Sequence, residues 1–273
     1  MIIGGAEDRE GEKVILRRFV ELSGGDEAQI AIIGTATTVP GEVGPLYLDA
    51  FDDLGAGCAQ FLSLSGRREA NSSHAVDVIT QATGVFFTGG DQSRIASVLG
   101  GSRVDSVLHE RHKAGQLVIA GTSAGAAMMS STMILRGGDL VPSMTAVQTG
   151  PGLGFVEGVV IDMHFAERGR LSRLLAAVAL RPQELGIGID EDTALEVDGS
   201  VLTVLGRGAV TLVDASQDAS VMAPAEGREG PIALTGVRLH VLPSGYTFNL
   251  STRHPQIIEA PENATDRSAP PAS

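Results

Sequence analysis

Short apolar runs bounded by glycine and turn residues recur along the first two thirds of the chain: "QIAIIGTAT" near Ile30, "GVFFTGGD" near Phe86, "QLVIAGTS" near Val118 and "GVVIDMHF" near Val160. They are continuously hydrophobic rather than alternating, as strands covered on both faces are, and helix-length segments separate them. The pattern predicts buried parallel strands joined by α crossovers. Between them, "GEKVILRRFVEL" places Val14, Ile15, Phe19 and Leu22 near one helical face, and "DQSRIASVLGG" opens on an aspartate suited to an N-cap. "RGRLSRLLAAVAL" sets Leu171, Leu174, Leu175 and Val178 at i, i+3, i+4 and i+7, which predicts one buried stripe.

From Gly186 the pattern changes. "GIGIDEDTALEVDGSVLTVLGRGAVTLVDA" alternates short β runs with "DG" and "GRG" turns, and "VRLHVLPSGYTF" reads as another hairpin. The expected fold class is therefore α/β, a mainly parallel central sheet flanked by helices with a C-terminal antiparallel β extension. No internal repeat or Pro-rich linker divides the chain, so one domain is expected over residues 1–259. The final "EAPENATDRSAPPAS" has almost nothing to bury, and residues 260–273 are expected to form a disordered tail.

At 273 residues the chain is long enough for a substantial core, and with 43% hydrophobic and 19% charged residues it has an ordinary globular composition. Trp is absent and aromatics make up only 4%, which leaves Val, Ile, Leu and Ala to fill most of the interior. The formal charge of -13 argues against nucleic acid or an anionic membrane as the main partner and suits a cationic or zwitterionic substrate. The lone cysteine, Cys58, excludes an internal disulfide and suits a reducing cytoplasm. "MIIGGAEDRE" has neither the basic nor the apolar region of an export signal, and no segment is apolar for long enough to span a bilayer.

Candidate chemistry centres on Gly121-Thr122-Ser123-Ala124-Gly125, a G-x-S-x-G that can hold a serine on a strand-to-helix turn. The Ala124 N–H is the natural first oxyanion donor, and the glycine turn at Gly90 and Asp91 would open on the same sheet edge. Small residues here equally permit close packing of helix on sheet, so the pentapeptide alone leaves both readings open. A nucleophilic serine needs a base and an orienting carboxylate. Of the six histidines, His164 ends an apolar run where a parallel strand delivers side chains to the carboxyl edge. His109 and His112 suit a solvated helix face with no third metal ligand evident, His74 opens a helix, and His240 and His254 read as surface or packing residues. Asp190, Glu191 and Asp192 end another apolar run, and chemistry does not separate them. Arg168, Arg170 and Arg173 follow His164. Helical spacing puts Arg170 and Arg173 on a face opposite the leucine stripe, either as a solvated basic face or as carboxylate receptors.

"IIGGAED", "FFTGGDQSRI", "AGTSAGAAMMS", "DMHFAERGRLSRLL" and "GIGIDEDTAL", in this order from Ile3 to a hairpin ending near Tyr246, resemble cyanophycinase. This is a serine peptidase family related to aspartyl dipeptidase, with a class I glutamine-amidotransferase-like, flavodoxin-like fold. The resemblance implies hydrolysis of multi-L-arginyl-poly-L-aspartate to β-Asp-Arg dipeptides by a homodimer without metal or cofactor. It implies Ser123 as nucleophile, His164 as base and Glu191 as orienting acid, with Gln92, Asp162, Met163, Arg168, Arg170 and Arg173 at the substrate. The chain departs from the family's D-Q-H-F at Asp162-Met163-His164-Phe165, where a thioether replaces an amide. It also begins almost at "IIGGAED", so either its first strand is short or the natural start lies upstream. A dipeptidase for Asp-X or isoaspartyl peptides is the nearest rival, and a non-catalytic module binding a nucleotide or anion is the rival from another class.

Overall fold

The computed structural model describes residues 1–138, 141–143, 145–217, 219–222 and 230–258. The tail expected over 260–273 lies outside the described residues. Five strands form a parallel unit: β1 (Ile2–Ile3), β2 (Gln29–Ile33), β3 (Cys58–Leu62), β4 (Gly84–Phe87) and β5 (Val118–Thr122), in the spatial order β1-β5-β4-β2-β3. β6 (Thr132–Gly137) and β7 (Val147–Pro151) make a separate hairpin. β8 (Val159–Met163) and β9 (Leu185–Ile189) run parallel to each other in a second sheet. The apolar run near Val160 is thus a parallel strand as expected, but its neighbour is β9 and not the first parallel unit.

The C-terminal third extends both sheets antiparallel. β10 (Thr193–Asp198) pairs with β1, and β11 (Val201–Gly206) returns along β10 through the predicted Asp198–Gly199 turn. β12 (Ala209–Asp214) joins β9, and β13 (Ser220–Met222) pairs with β14 (Ala233–Thr235). β15 (Arg238–Pro243) pairs with β12, whereas β16 (Tyr246–Asn249) pairs with β11 and with β17 (His254–Ile257). The run over 237–248 is therefore not a paired hairpin, because its two strands belong to different sheets. Local turn residues could not reveal this.

Eight α-helices complete the described chain: α1 (Val14–Leu22), α2 (Pro40–Asp53), α3 (Arg67–Ala70), α4 (Ser73–Gln81), α5 (Gln92–Leu99), α6 (Arg103–Lys113), α7 (Ala124–Ala127) and α8 (Leu171–Leu180). Asp91 caps α5 as predicted, its Oδ1 accepting from the Ser93 N–H at 2.8 Å. α1 buries Ile15, Leu16, Phe19 and Val20 and leaves Val14 exposed, one residue's rotation from the expected face. α8 likewise buries Leu174 and Val178 but exposes Leu171, which only opens the helix.

The core is layered. α1 and α2 cover one face of the larger sheet, and the short α7 packs against β1, β4 and β5 on one side and β8 on the other. α8 closes the outer face of the second sheet. The scarce aromatics are concentrated: Phe86 lies 5.6 Å from Phe19, 5.5 Å from Phe51 and 4.9 Å from Tyr47 between ring centroids. All three phenylalanines are fully buried, so this cluster fixes α1 and α2 onto β4. Phe86→Ala is expected to lower stability by about 3–5 kcal/mol, read from urea unfolding. A loss under about 1 kcal/mol would mean that the cluster collapses around the void.

Candidate active site

β5 ends at Thr122, and Ser123 follows at φ 52 and ψ -109 as the N-cap of α7. That backbone conformation is rare for a residue with a Cβ and costs on the order of 1–3 kcal/mol unless its surroundings impose it. The two flanking glycines permit the reversal: a Cβ on Gly121 would overlap the Gly125 carbonyl, and one on Gly125 would overlap the Phe87 carbonyl. The close-packing reading and the elbow reading therefore hold together.

His164 and the acidic run leave the carboxyl ends of β8 and β9, whose parallel register sets Met163 opposite Ile189. The Ser123 Oγ lies 2.8 Å from His164 Nε2, and His164 Nδ1 lies 2.6 Å from Glu191 Oε1. With Nδ1–H donating to the carboxylate, Nε2 is left to accept from the serine hydroxyl. Geometry also separates the three acids. Asp190 accepts from the Ala166 and Ala209 N–H groups at 3.0 and 3.1 Å, and Asp192 accepts from the Asp8 N–H at 2.9 Å and pairs with Arg207. Only Glu191 reaches the histidine, while its own N–H donates to Glu167 Oε1 at 3.2 Å.

Three carbonyls of the chain leaving β1 hold these loops together. Ile3 O accepts from the Ser123 N–H at 3.0 Å, Gly4 O from His164 at 2.8 Å and Gly5 O from Asp192 at 2.9 Å. The three donors all have positive φ, at 52, 49 and 47°. Gly5, at φ 106°, lies against the imidazole, which a Cβ would overlap.

The expected oxyanion donors divide. The Ala124 and Gly90 N–H groups have no hydrogen-bond partner among the described residues. The Asp91 N–H donates to Ala36 O at 3.0 Å, so Asp91 is removed from that set. The expected substrate contacts divide as well. Asp162 is fully buried and forms a two-pronged pair with Arg173, which is itself 8% exposed and also donates to Gly137 O. Arg173 is therefore buried, against the expectation of a solvent- or substrate-facing side chain, because the Asp162 carboxylate on β8 needs a buried counter-charge. Gln92 donates its amide to Ile134 O at 2.8 Å and Leu135 O at 3.3 Å, tying α5 to β6.

Arg170 is the N-cap of α8, and its Nη1 donates to the Met163 carbonyl and lies 3.4 Å from both Asp162 Oδ1 and Met163 Sδ. Burial pulls its guanidinium down to about 10, with Asp162 opposing and Arg173 and Arg168 adding to the fall. It remains charged at neutral pH. Met163 is buried in the main core, so its side chain supports Arg170 and does not stand in open solvent. Arg168 is exposed and has no ion-pair partner among the described residues.

Glu7 was not singled out from sequence. It is 4% exposed and accepts from both Thr122 Oγ1 and Tyr47 Oη. An acid in a glycine-rich loop reads as solvated, and its hydroxyl partners lie 40 and 115 residues away. Among the described residues no group of three or more side chains could hold a metal, and no helix is long and apolar enough to cross a membrane. His109 stacks on Phe155 at 4.5 Å and His112 meets the same ring edge-on.

Fold and candidate site together have the make-up of a serine hydrolase, with Ser123 at the end of a strand of one sheet and His164 and Glu191 at strand ends of the other. The chain belongs to peptidase family S51, whose model matches residues 1–205. It is 41% identical over 256 residues to a cyanophycinase of Nostoc sp., covering 93% of this chain and 86% of that protein. A cyanophycinase of Geminocystis herdmanii is 37% identical over 257 residues, covering 93% of this chain and 94% of the relative. The crystal structure of a peptidase from an acI-B1 Actinobacterium shares the fold, with a TM-score of 0.65 at 23% identity over 84% of this chain and 94% of that one.

Asp162→Ala leaves the Arg173 charge buried without its partner. We expect a loss of about 3–5 kcal/mol in denaturant unfolding. An unchanged unfolding midpoint with a raised KM would instead place Asp162 at the substrate.

Proposed function

We propose that the protein is a serine-type exopeptidase that hydrolyses cyanophycin, multi-L-arginyl-poly-L-aspartate, to β-Asp-Arg dipeptides through an acyl-enzyme on Ser123. The observation that carries this reading is the continuous Ser123–His164–Glu191 hydrogen-bond relay in a member of peptidase family S51. Its substrate comes from the two cyanophycinases to which the chain is similar.

In this mechanism Ser123 Oγ attacks an aspartyl backbone carbonyl while His164 Nε2 takes its proton. Glu191 holds Nδ1–H and stabilises the imidazolium that forms. The oxyanion is received by the Ala124 and Gly90 N–H groups at the start of α7 and in the glycine turn. As the C–N bond breaks, His164 returns the proton to the leaving amine. Water, deprotonated by the same imidazole, then attacks the acyl ester and frees the dipeptide. Each arginyl branch carries a free carboxylate, for which the exposed Arg168 is the available partner, with Arg170 behind it. Gln92 and the Asp162–Arg173 pair shape this region from beneath. The reading extends to a homodimer, from the family resemblance, and to a reducing cytoplasm, from the single exposed thiol of Cys58.

One observation favours a second reading. With Arg173 engaged by Asp162, the arginine group open to substrate is smaller than the sequence implied, as an aspartyl or isoaspartyl dipeptidase would tolerate. A panel of cyanophycin, Asp-X and β-aspartyl peptides separates the two: release of β-Asp-Arg from the polymer supports the first, and cleavage of short peptides alone supports the second.

Ser123→Ala and His164→Ala are each expected to lower kcat on cyanophycin by about 10³-fold or more. Retention of most activity by the serine variant would remove the acyl-enzyme. Met163→Gln gives Arg170 an amide acceptor in place of a weakly accepting thioether, so kcat/KM on cyanophycin is expected to rise. An unchanged value would show that the thioether serves as well.

A further inference from the structure

Glu7 is a buried carboxylate with no ion-pair partner among the described residues, one hydrogen bond away from the residue that precedes Ser123. Burying a carboxylate on hydroxyl donors alone is costly, and a well-packed apolar side chain would serve stability better. A carboxylate only accepts, so both hydroxyl protons must point at it. Thr122 is thereby held in one rotamer, and Tyr47 Oη donates at 2.5 Å from α2. Burial and the Glu7 charge push the Tyr47 phenol well above its ordinary range, which keeps it a donor. The Arg9 guanidinium lies over the Tyr47 ring, 5.4 Å from its centroid.

We propose that Glu7 is a positioning residue for the nucleophile: through Thr122 it holds the strained Ser123 backbone in register with His164. This rests on the reading of Ser123 as the nucleophile. The Ser123 conformation must be imposed from outside, and its N-terminal side has two fixings, the Ile3 carbonyl on the Ser123 N–H and the Glu7 carboxylate on the Thr122 hydroxyl. Ile3 is paired to Thr122 across β1 and β5, and Glu7 lies four residues further along the same segment. The Ile3 contact sets the distance between strands. The Glu7 contact sets the rotation of the last strand residue, and with it the direction in which the serine hydroxyl leaves the turn.

The test measures the rate of Ser123 labelling by a peptidyl phosphonate and the steady-state kinetics on cyanophycin, both normalised to titrated sites, beside urea unfolding. Glu7→Leu is expected to slow labelling and lower kcat by about 10- to 100-fold with KM little changed, as misalignment of reacting atoms does. Glu7→Gln, which keeps one acceptor, is expected to recover much of the loss. Thr122→Val removes the contact beside the serine and should reproduce the defect even if Glu7→Leu does not fold. Tyr47→Phe should lower stability with the smaller effect on labelling. Wild-type rates per titrated site in Thr122→Val, with only its stability reduced, would overturn the proposal. Wild-type protein that the phosphonate does not label at Ser123 would overturn the underlying reading and this inference with it.

Discussion

Three consecutive peptide carbonyls, those of Ile3, Gly4 and Gly5, are the constraint on which the rest of the site depends. Each accepts one N–H from a different loop, those of Ser123, His164 and Asp192, and each donor residue stands in a left-handed or otherwise rare backbone state. Chain segments do not hold such states unaided, because each costs on the order of 1–3 kcal/mol. A row of acceptors leaving β1 compensates for all of them at once. Its last two residues must lack side chains, since a Cβ on Gly4 would overlap the Asp190 carbonyl and one on Gly5 the imidazole.

Beneath that row the second sheet carries the opposite problem, a charge in the interior. Asp162 sits on β8 just before His164 and is fully buried, and Arg173 from α8 meets it with both prongs. The pair joins helix to strand directly below the histidine. Arg170 borders it at the surface and stays cationic, though burial weakens its hold on the proton. Of the basic residues after His164, one is structural, one lies at the boundary and one, Arg168, faces solvent.

Much of this was legible in the sequence. Unbroken apolar runs identified β2, β4, β5 and β8 but not the half-exposed β3, and the run at Gly186, expected in the antiparallel extension, is β9, parallel to β8. G-x-S-x-G with a histidine and an acid at later strand ends pointed to the candidate site. What the sequence left open is non-local. Asp190, Glu191 and Asp192 differ only in which distant donor each meets, so composition could not separate them. Arg173 read as a solvated cation or a carboxylate receptor for substrate because Asp162, its partner, is on another element. The two strands around Ser244 looked like a hairpin because turn chemistry reports chain reversal and not which sheet each arm joins. Glu7 escaped notice for the same reason, having no partner nearby in sequence.

Ser123 hangs from one sheet, while His164 and Glu191 hang from the other. Their 2.8 Å contact therefore acts as a vernier on the stacking of whole layers. A slide of about 1 Å between the sheets would leave every strand ladder intact and still part the hydroxyl from the imidazole. Chemistry here is a finer gauge of how α7 seats between the layers than any measure of folded content. With Ser123 as nucleophile, the fully buried Ala126 and Ala127 of α7 would bear on turnover by seating the layers, without approaching a substrate.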